Sequence, residues 1–163
     1  MKRSVHRIKE LISGRRGFTL LETVAVMMVA SVMLLCVLPS LTRFQSAHAL
    51  YSSALMLASD IRCHQQEAVG AENENATYQI SFDTERDEYS LMLATERLRT
   101  VLLPGSVDLV FTNFDYNLLK FTLQGAPVSG GHVMLKDTVS GKSFYIIINP
   151  VAGRVRIDTV PPE

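Results

Sequence analysis

Only a few side chains in this 163-residue sequence combine chemical capability with unusual placement, and Glu22 comes first. It is the one charged residue in an apolar run from Phe18 to Leu38. A carboxylate within hydrocarbon is costly and normally marks a function with a specific partner. Asp83, Glu85, Asp87 and Glu88 could offer oxygen ligands to calcium, but they lack the glycine and ligand order of a dedicated calcium loop and read as a solvated hairpin tip. The histidines His6, His48, His64 and His132 are scattered. Cys63 and His64 are neighbours that face different sides of a helix, with no second pair to complete a zinc site. Arg97 with Arg99, and Arg154 with Arg156, form two short basic pairs that could meet phosphates or could pair with neighbouring acids as exposed strand positions. No nucleophile elbow or phosphate-binding glycine loop is present in the sequence, so no enzymatic activity, cofactor or metal is expected.

The element that carries Glu22 is membrane-length. About 21 residues at a helical rise of about 1.5 Å each cover roughly 30 Å, the thickness of a bilayer core. Lys2, Arg3, Arg7, Lys9, Arg15 and Arg16 precede it against a single Glu10, which places the N-terminus inside and everything after Pro39 outside. A secretory signal would end in a small-residue cleavage site, and only the loose Ala47-His48-Ala49 triplet fits, well beyond the apolar stretch. Pro39 removes a backbone donor just past the run, so it either kinks the helix or stops it.

Beyond Leu41 the pattern becomes one-sided. Phe44, Ala47, Tyr51, Ala54, Leu55, Ala58, Ile61 and Gln65 recur at three- and four-residue spacing, which predicts a helix to about Val69 with this stripe on a sheet. Gly70 and Glu72-Asn73-Glu74-Asn75 end it. Periodicity then shifts to two. Tyr78–Phe82 and Tyr89–Leu93 read as a hairpin, followed by strands at 98–103, 107–112, 119–123, 132–136, 143–149 and 154–158, separated by Gly- and Pro-containing turns. The predicted fold is α+β, a long N-terminal helix packed on an antiparallel β-sheet. Cys36 and Cys63, if one helix carries both, lie roughly 40 Å apart and cannot pair. Cys63 is expected to pack as a small buried hydrophobe.

Arg15-Arg16-Gly17-Phe18-Thr19-Leu20-Leu21-Glu22 resembles the leader junction of type IV prepilins. That resemblance implies cleavage between Gly17 and Phe18, N-methylation of Phe18, and Glu22 as the assembly glutamate, neutralised in a low-dielectric medium by a Phe18 amine of its own or another subunit. It divides the chain into a cleaved basic leader (1–17), a transmembrane assembly helix (18–39), an amphipathic extension (40–70) and a β-rich pilin-like ectodomain (71–163). Leu119-Lys120-Phe121-Thr122, Gly125, Pro127, Gly130-Gly131, Phe144-Tyr145-Ile146-Ile147-Ile148 and Gly153-Arg154-Val155 are similar to the end of the secretion pseudopilin H family and, more closely, of the ComGD family of competence pseudopilins.

The implied function is a minor pseudopilin of a competence DNA-uptake machinery, located in the cell membrane and at the cell surface. Its implied partners are the prepilin peptidase, the major pseudopilin ComGC, other minor pseudopilins and, indirectly, an assembly ATPase and a polytopic membrane platform. A type II secretion pseudopilin is the nearest alternative, and a single-pass receptor with an uncleaved leader is a more distant one. Removing the leader takes away six basic residues and one acidic, leaving ten basic against fifteen acidic. A net charge of about −5 argues against a strong autonomous grip on nucleic acid, so contact with DNA is expected to be indirect or weak.

Overall fold

A computed structural model describes residues 19–70, 77–151 and 153–162, with the side chains at 36–39 outside the description. The leader, Gly17, Phe18 and the loop at Glu72–Asn75 lie outside the described residues. Helix α1 (Leu20–Val69) is followed by strands β1 (Tyr78–Asp83), β2 (Glu88–Leu93), β3 (Glu96–Leu102), β4 (Val107–Thr112), β5 (Leu118–Phe121), β6 (Gly131–Asp137), β7 (Ser143–Ile148) and β8 (Val155–Asp158). The chain divides into two compact units, Met1–Leu41 and Thr42–Glu163, with the boundary inside α1.

In the first unit every described side chain from Thr19 to Leu35 is exposed, and most of them are apolar. Val24, Val26, Val29 and Val32 are mediocre helix formers in water, where their branched side chains lose rotamer freedom. In hydrocarbon the helix is enforced instead by the need to satisfy every backbone N–H and C=O within the segment. The helical assignment continues through Pro39. The kink expected there falls among side chains outside the description.

The second unit places the later part of α1 against two antiparallel four-stranded sheets, ordered β3-β2-β1-β5 and β4-β6-β7-β8. The sequence reading anticipated the eight strands but grouped them in one sheet. The division follows the loops: β4 leaves its sequence neighbours and pairs with β6, while β5 returns to the free edge of β1. Alternation then places the core. Ile80, Phe82, Tyr89, Leu119 and Phe121 from the first sheet, and Leu109, Val133, Leu135, Ile146 and Ile148 from the second, join Leu50, Ala54, Leu57, Ala58 and Ile61 of α1 in one buried cluster. Ala54 and Ala58 are small enough to bring helix and strands close together, and both are completely covered.

The predicted stripe on α1 is displaced by part of a turn. Ala54, Ala58 and Ile61 face the core as expected, but Phe44, Tyr51 and Leu55 are exposed. Their places are taken by Ser46, Leu50, Ser53, Leu57, His64 and Ala68. The physical reason is polar as much as apolar: Ser46 and His64 have partners on the sheets, in Asp137 and the Met92 carbonyl, so burying them does not leave their polar atoms unsatisfied. Cys63 is also on the outside, contrary to expectation, with its Sγ 3.9 Å from Glu67 Oε1. It follows the exposed Arg62, on the face opposite Ile61.

Candidate functional site

Among the described residues, the segment expected to serve in assembly begins at Thr19. Its Oγ1 accepts a hydrogen bond from the Glu22 backbone N–H at 3.3 Å, and its carbonyl accepts one from Thr23 Oγ1 at 3.0 Å. Thr19 and Glu22 therefore stand as N-cap and third helical residue, the Thr-x-x-Glu spacing of a capping box with one of its two bonds made. Further in, Ser31 Oγ donates to the Met27 carbonyl at 2.7 Å, so this hydroxyl is satisfied within the helix. Glu22 differs. Its carboxylate is exposed and has no side-chain partner among the described residues. It heads a shallow groove of about 400 Å³ along one helix face, continued by Ala25, Val26, Val29, Ala30 and Met33. Ala25 and Ala30 keep this apolar face shallow, and the charge stands at one end of the track.

In the second unit a series of polar bonds ties α1 to both sheets. Ser46 Oγ donates to Asp137 Oδ2 at 3.0 Å, and Arg62 Nη2 donates to the Val155 carbonyl at 2.9 Å. Tyr89 OH donates to Asp60 Oδ2 at 2.6 Å, while Arg99 Nη1 stands 3.4 Å from Asp60 Oδ1. Burial, reinforced by the Asp60 hydrogen bond and charge, pushes the Tyr89 phenol far above its ordinary range. His64 is buried between Glu67 Oε2 at 2.8 Å and the Met92 carbonyl at 3.1 Å, with Tyr78 and Phe121 edge-on. Gln65 Nε2 donates to the carbonyls of Gly125 and Gly153 at 3.2 and 2.9 Å. Both glycines have positive φ, and a Cβ at Gly125 would stand 2.7 Å from the Val69 side chain. None of these cross-element roles was visible in the sequence, because single polar residues on a helix carry no periodic signal.

The four arginines of the sequence reading are split between the sheets. Arg97 borders a small polar pocket with Asp83, Glu85 and Glu88, and Arg99 is held by Asp60. Arg154 and Arg156 line a separate cleft of about 770 Å³ at the end of the second sheet. The acidic hairpin is only partly solvated. Asp83 Oδ1 caps the turn through the N–H groups of Glu85 and Arg86. Asp87, at φ 53°, accepts the Leu109 N–H on its side chain at 2.8 Å and the Leu103 N–H on its carbonyl at 2.9 Å, joining the first hairpin to β4. Beside it burial raises the Asp108 carboxyl, with the Asp87 hydrogen bond and charge adding to the effect. Among the described residues no three His, Cys, Asp or Glu side chains gather in a way that could hold a metal ion.

The chain is similar over most of its length to three known proteins. Over 149 residues it is 28% identical to "Competence protein ComGD" of Bacillus subtilis strain 168, covering 90% of this chain and 96% of that protein. Its fold is similar to the minor pseudopilin EpsH of the Vibrio cholerae type 2 secretion system, with a TM-score of 0.56, 10% identity, and coverage of 68% of this chain and 96% of EpsH. It is also similar to the type IV minor pilin FimU of Pseudomonas aeruginosa, with a TM-score of 0.55, 18% identity, and coverage of 71% and 92%. No protein-family profile matches the chain.

Proposed function

We propose that this chain, a type IV pilin-like minor pseudopilin with a pilin-like α+β fold, serves as a structural subunit of a competence DNA-uptake machinery. The observation that carries this reading is the likeness to ComGD across nine-tenths of the chain, with both the helix and the ectodomain included. In this reading the prepilin peptidase cuts between Gly17 and Phe18 on the cytoplasmic side and Phe18 is methylated. Residues 18–39 then leave the bilayer to pack against helices of ComGC-type and minor subunits, with the ectodomain outside the membrane. The uncovered track from Glu22 to Met33 supports that step, because a carboxylate without a described partner gains most from a cation supplied by the next subunit. Pro39 gives the helix a point at which to bend on leaving the membrane. The role is architectural rather than catalytic.

A type II secretion role is the second reading, favoured by the fold likeness to EpsH. Deleting the gene separates the two: transformation falls under the competence reading, and export of folded proteins falls under the secretion reading. Mass measurement of the mature N-terminus tests the processing step. Methyl-Phe18 is expected, and an intact leader refutes it. Gly17→Val is expected to block processing, whereas a Glu22 variant is expected to be processed but left out of filaments.

A further inference from the structure

The cleft at the end of the second sheet has a composition unlike that of the rest of the ectodomain. Arg154 and Arg156 stand on one wall, His132 and Asn113 on another, and Gly131 and Pro150 close the loops between them. Among the described residues no acidic side chain lines it, although the processed chain carries a surplus of acids. Arg154 has no ion-pair partner among the described residues. Among the described residues Arg156 has only Asp158 at 3.8 Å, with both side chains well exposed, a contact worth little and readily exchanged.

The placement follows from the strand. Val155 is buried, and Arg154 and Arg156 on either side of it are exposed, so both point to the same face about 6.6 Å apart along the chain. That interval is comparable to the spacing of successive phosphates along an extended strand. Across the sheet Ile147 pairs with both His132 and Arg156, so the histidine and the arginine share one row. Around His132 lie Phe111 at 5.6 Å and Tyr145 at 6.0 Å between ring centroids, and Phe111 is half exposed. Burial lowers the His132 imidazole below its usual range, so the ring is present mainly as a neutral aromatic surface. Glycine is required at the floor, since a Cβ on Gly131 would stand 2.5 Å from Asn113 Oδ1, the atom that accepts the His132 N–H.

We infer that this cleft binds the phosphodiester backbone of a nucleic acid, with Arg154 and Arg156 on two successive phosphates and the Phe111–His132–Tyr145 row beside the bases. The inference rests on the competence reading and adds the surface through which this subunit touches its cargo. Two phosphate contacts make a weak grip, consistent with an acidic subunit that works beside others. An acidic peptide from a neighbouring subunit would also be attracted to the arginines, but it would make no use of the aromatic row.

The test uses the full processed chain in detergent, with fluorescence anisotropy of short labelled single-stranded and duplex oligonucleotides across a salt series. Two phosphate contacts predict a slope of log K against log salt of about −1.8 for duplex and about −1.4 for single strand, or roughly tenfold weakening from 50 to 200 mM salt. Arg154→Gln with Arg156→Gln is expected to weaken binding at least tenfold and to flatten the slope. Arg97→Gln with Lys120→Gln, which removes the same charge elsewhere, is expected to leave both unchanged. Circular dichroism confirms that each variant is folded. Equal loss in the two pairs, no binding by the parent at the lowest salt, or an oligoglutamate peptide displacing the oligonucleotides with the same arginine dependence overturns the inference. If deleting the gene leaves transformation intact, the competence reading fails. If deletion abolishes transformation but oligonucleotide binding is indifferent to Arg154 and Arg156, only the cleft assignment fails.

Discussion

Asp137 offers the sharpest test of how helix and sheet are joined. It ends β6 fully covered, and its carboxylate accepts the Val139 N–H at 3.0 Å, the Ser140 N–H at 3.2 Å, the Ser46 hydroxyl at 3.0 Å and the Ser140 hydroxyl. Burial alone raises its pKa, but the bonds from Ser140, Val139 and Ser46 together outweigh burial and hold the carboxyl below its ordinary range. Asp137→Asn cannot reproduce this set. With its oxygen toward Val139 the new amide N–H₂ faces the Ser140 N–H, and with the amide reversed it faces the Val139 N–H. Either way one backbone donor loses its acceptor, at about 1–3 kcal/mol, and the remaining bonds lose their charge assistance. The covering turn is itself exposed at Val139, Ser140 and Gly141, so water is one layer away and the total is set at about 2–3 kcal/mol.

Ser46→Ala removes the bond that ties α1 to β6, together with the hydroxyl's contact to the Arg43 carbonyl at 3.1 Å, at about 1–2 kcal/mol, and the double variant should cost less than the sum of the two. Urea unfolding of the full processed chain in mild detergent, followed by circular dichroism, reads these differences. The pH dependence has a definite sign. A depressed folded-state pKa stabilises fully above the unfolded value near 3.8 and is lost as pH falls through the lower, folded one. The gap between parent and Asp137→Asn should therefore hold from pH 7 to about 5 and narrow below about 4. An Asn variant as stable as the parent at pH 7, or a gap independent of pH, refutes the reasoning.

Tyr89→Phe deletes the phenol that bonds Asp60 and should cost about 1–2 kcal/mol. It should also remove, from a spectrophotometric alkaline titration, the tyrosine that ionises only as the protein unfolds, because a raised phenol pKa stabilises below the ordinary value near 10 and that stabilisation is lost as pH rises. Gly125→Ala combines positive φ with a Cβ 2.7 Å from Val69 and 3.2 Å from the Gln65 carbonyl, and is expected to destabilise by about 1–3 kcal/mol in the same urea assay. Cys63 is exposed, so a thiol reagent should label it in the folded, detergent-solubilised subunit; labelling only in denaturant contradicts its placement.

Strand existence was legible where period-two alternation survives, as in β1, β5, β6 and β7, while the almost wholly exposed β3 was recognised only from its composition and flanking turns. Sheet membership was not, since local alternation does not encode which edges meet. Two bulges show the same limit. Pairing slips between Leu91 and Met92 opposite β3, and between Leu109 and Phe111 in β4, leaving Leu98 and Val110 as extra, exposed residues within apolar-looking runs. On α1 two neighbouring stripes compete, and the more apolar was the one expected to be buried. The structure buries the one containing Ser46, Ser53 and His64, because Asp137, Met92 and Glu67 stand ready to satisfy two of them. Phe44, Tyr51 and Leu55, the more apolar choice, are left outside. Arg154 and Arg156 were recognised as a pair from their spacing, but their shared cleft with His132 depends on the β6-β7-β8 register.

Glu22 carries two roles that ordinary substitution would confound, and the Thr19 contact makes it possible to separate them. As the third residue of a helix capped by Thr19, Glu22 gives its backbone N–H to Thr19 Oγ1, a bond that glutamine keeps, and glutamine also suits that position of a capping box. As a charged joint it requires a cation, and glutamine cannot replace it. Glu22→Gln therefore keeps the helix start and removes the charge, while Thr19→Ala keeps the charge and weakens the start by about 1 kcal/mol. If assembly depends on the charge, Glu22→Gln chains should be processed and inserted normally yet fail to co-purify with sheared filaments, and Thr19→Ala chains should assemble at near-parental levels. If Thr19→Ala fails and Glu22→Gln succeeds, the residue matters as a helix cap and the proposed pairing with Phe18 is wrong.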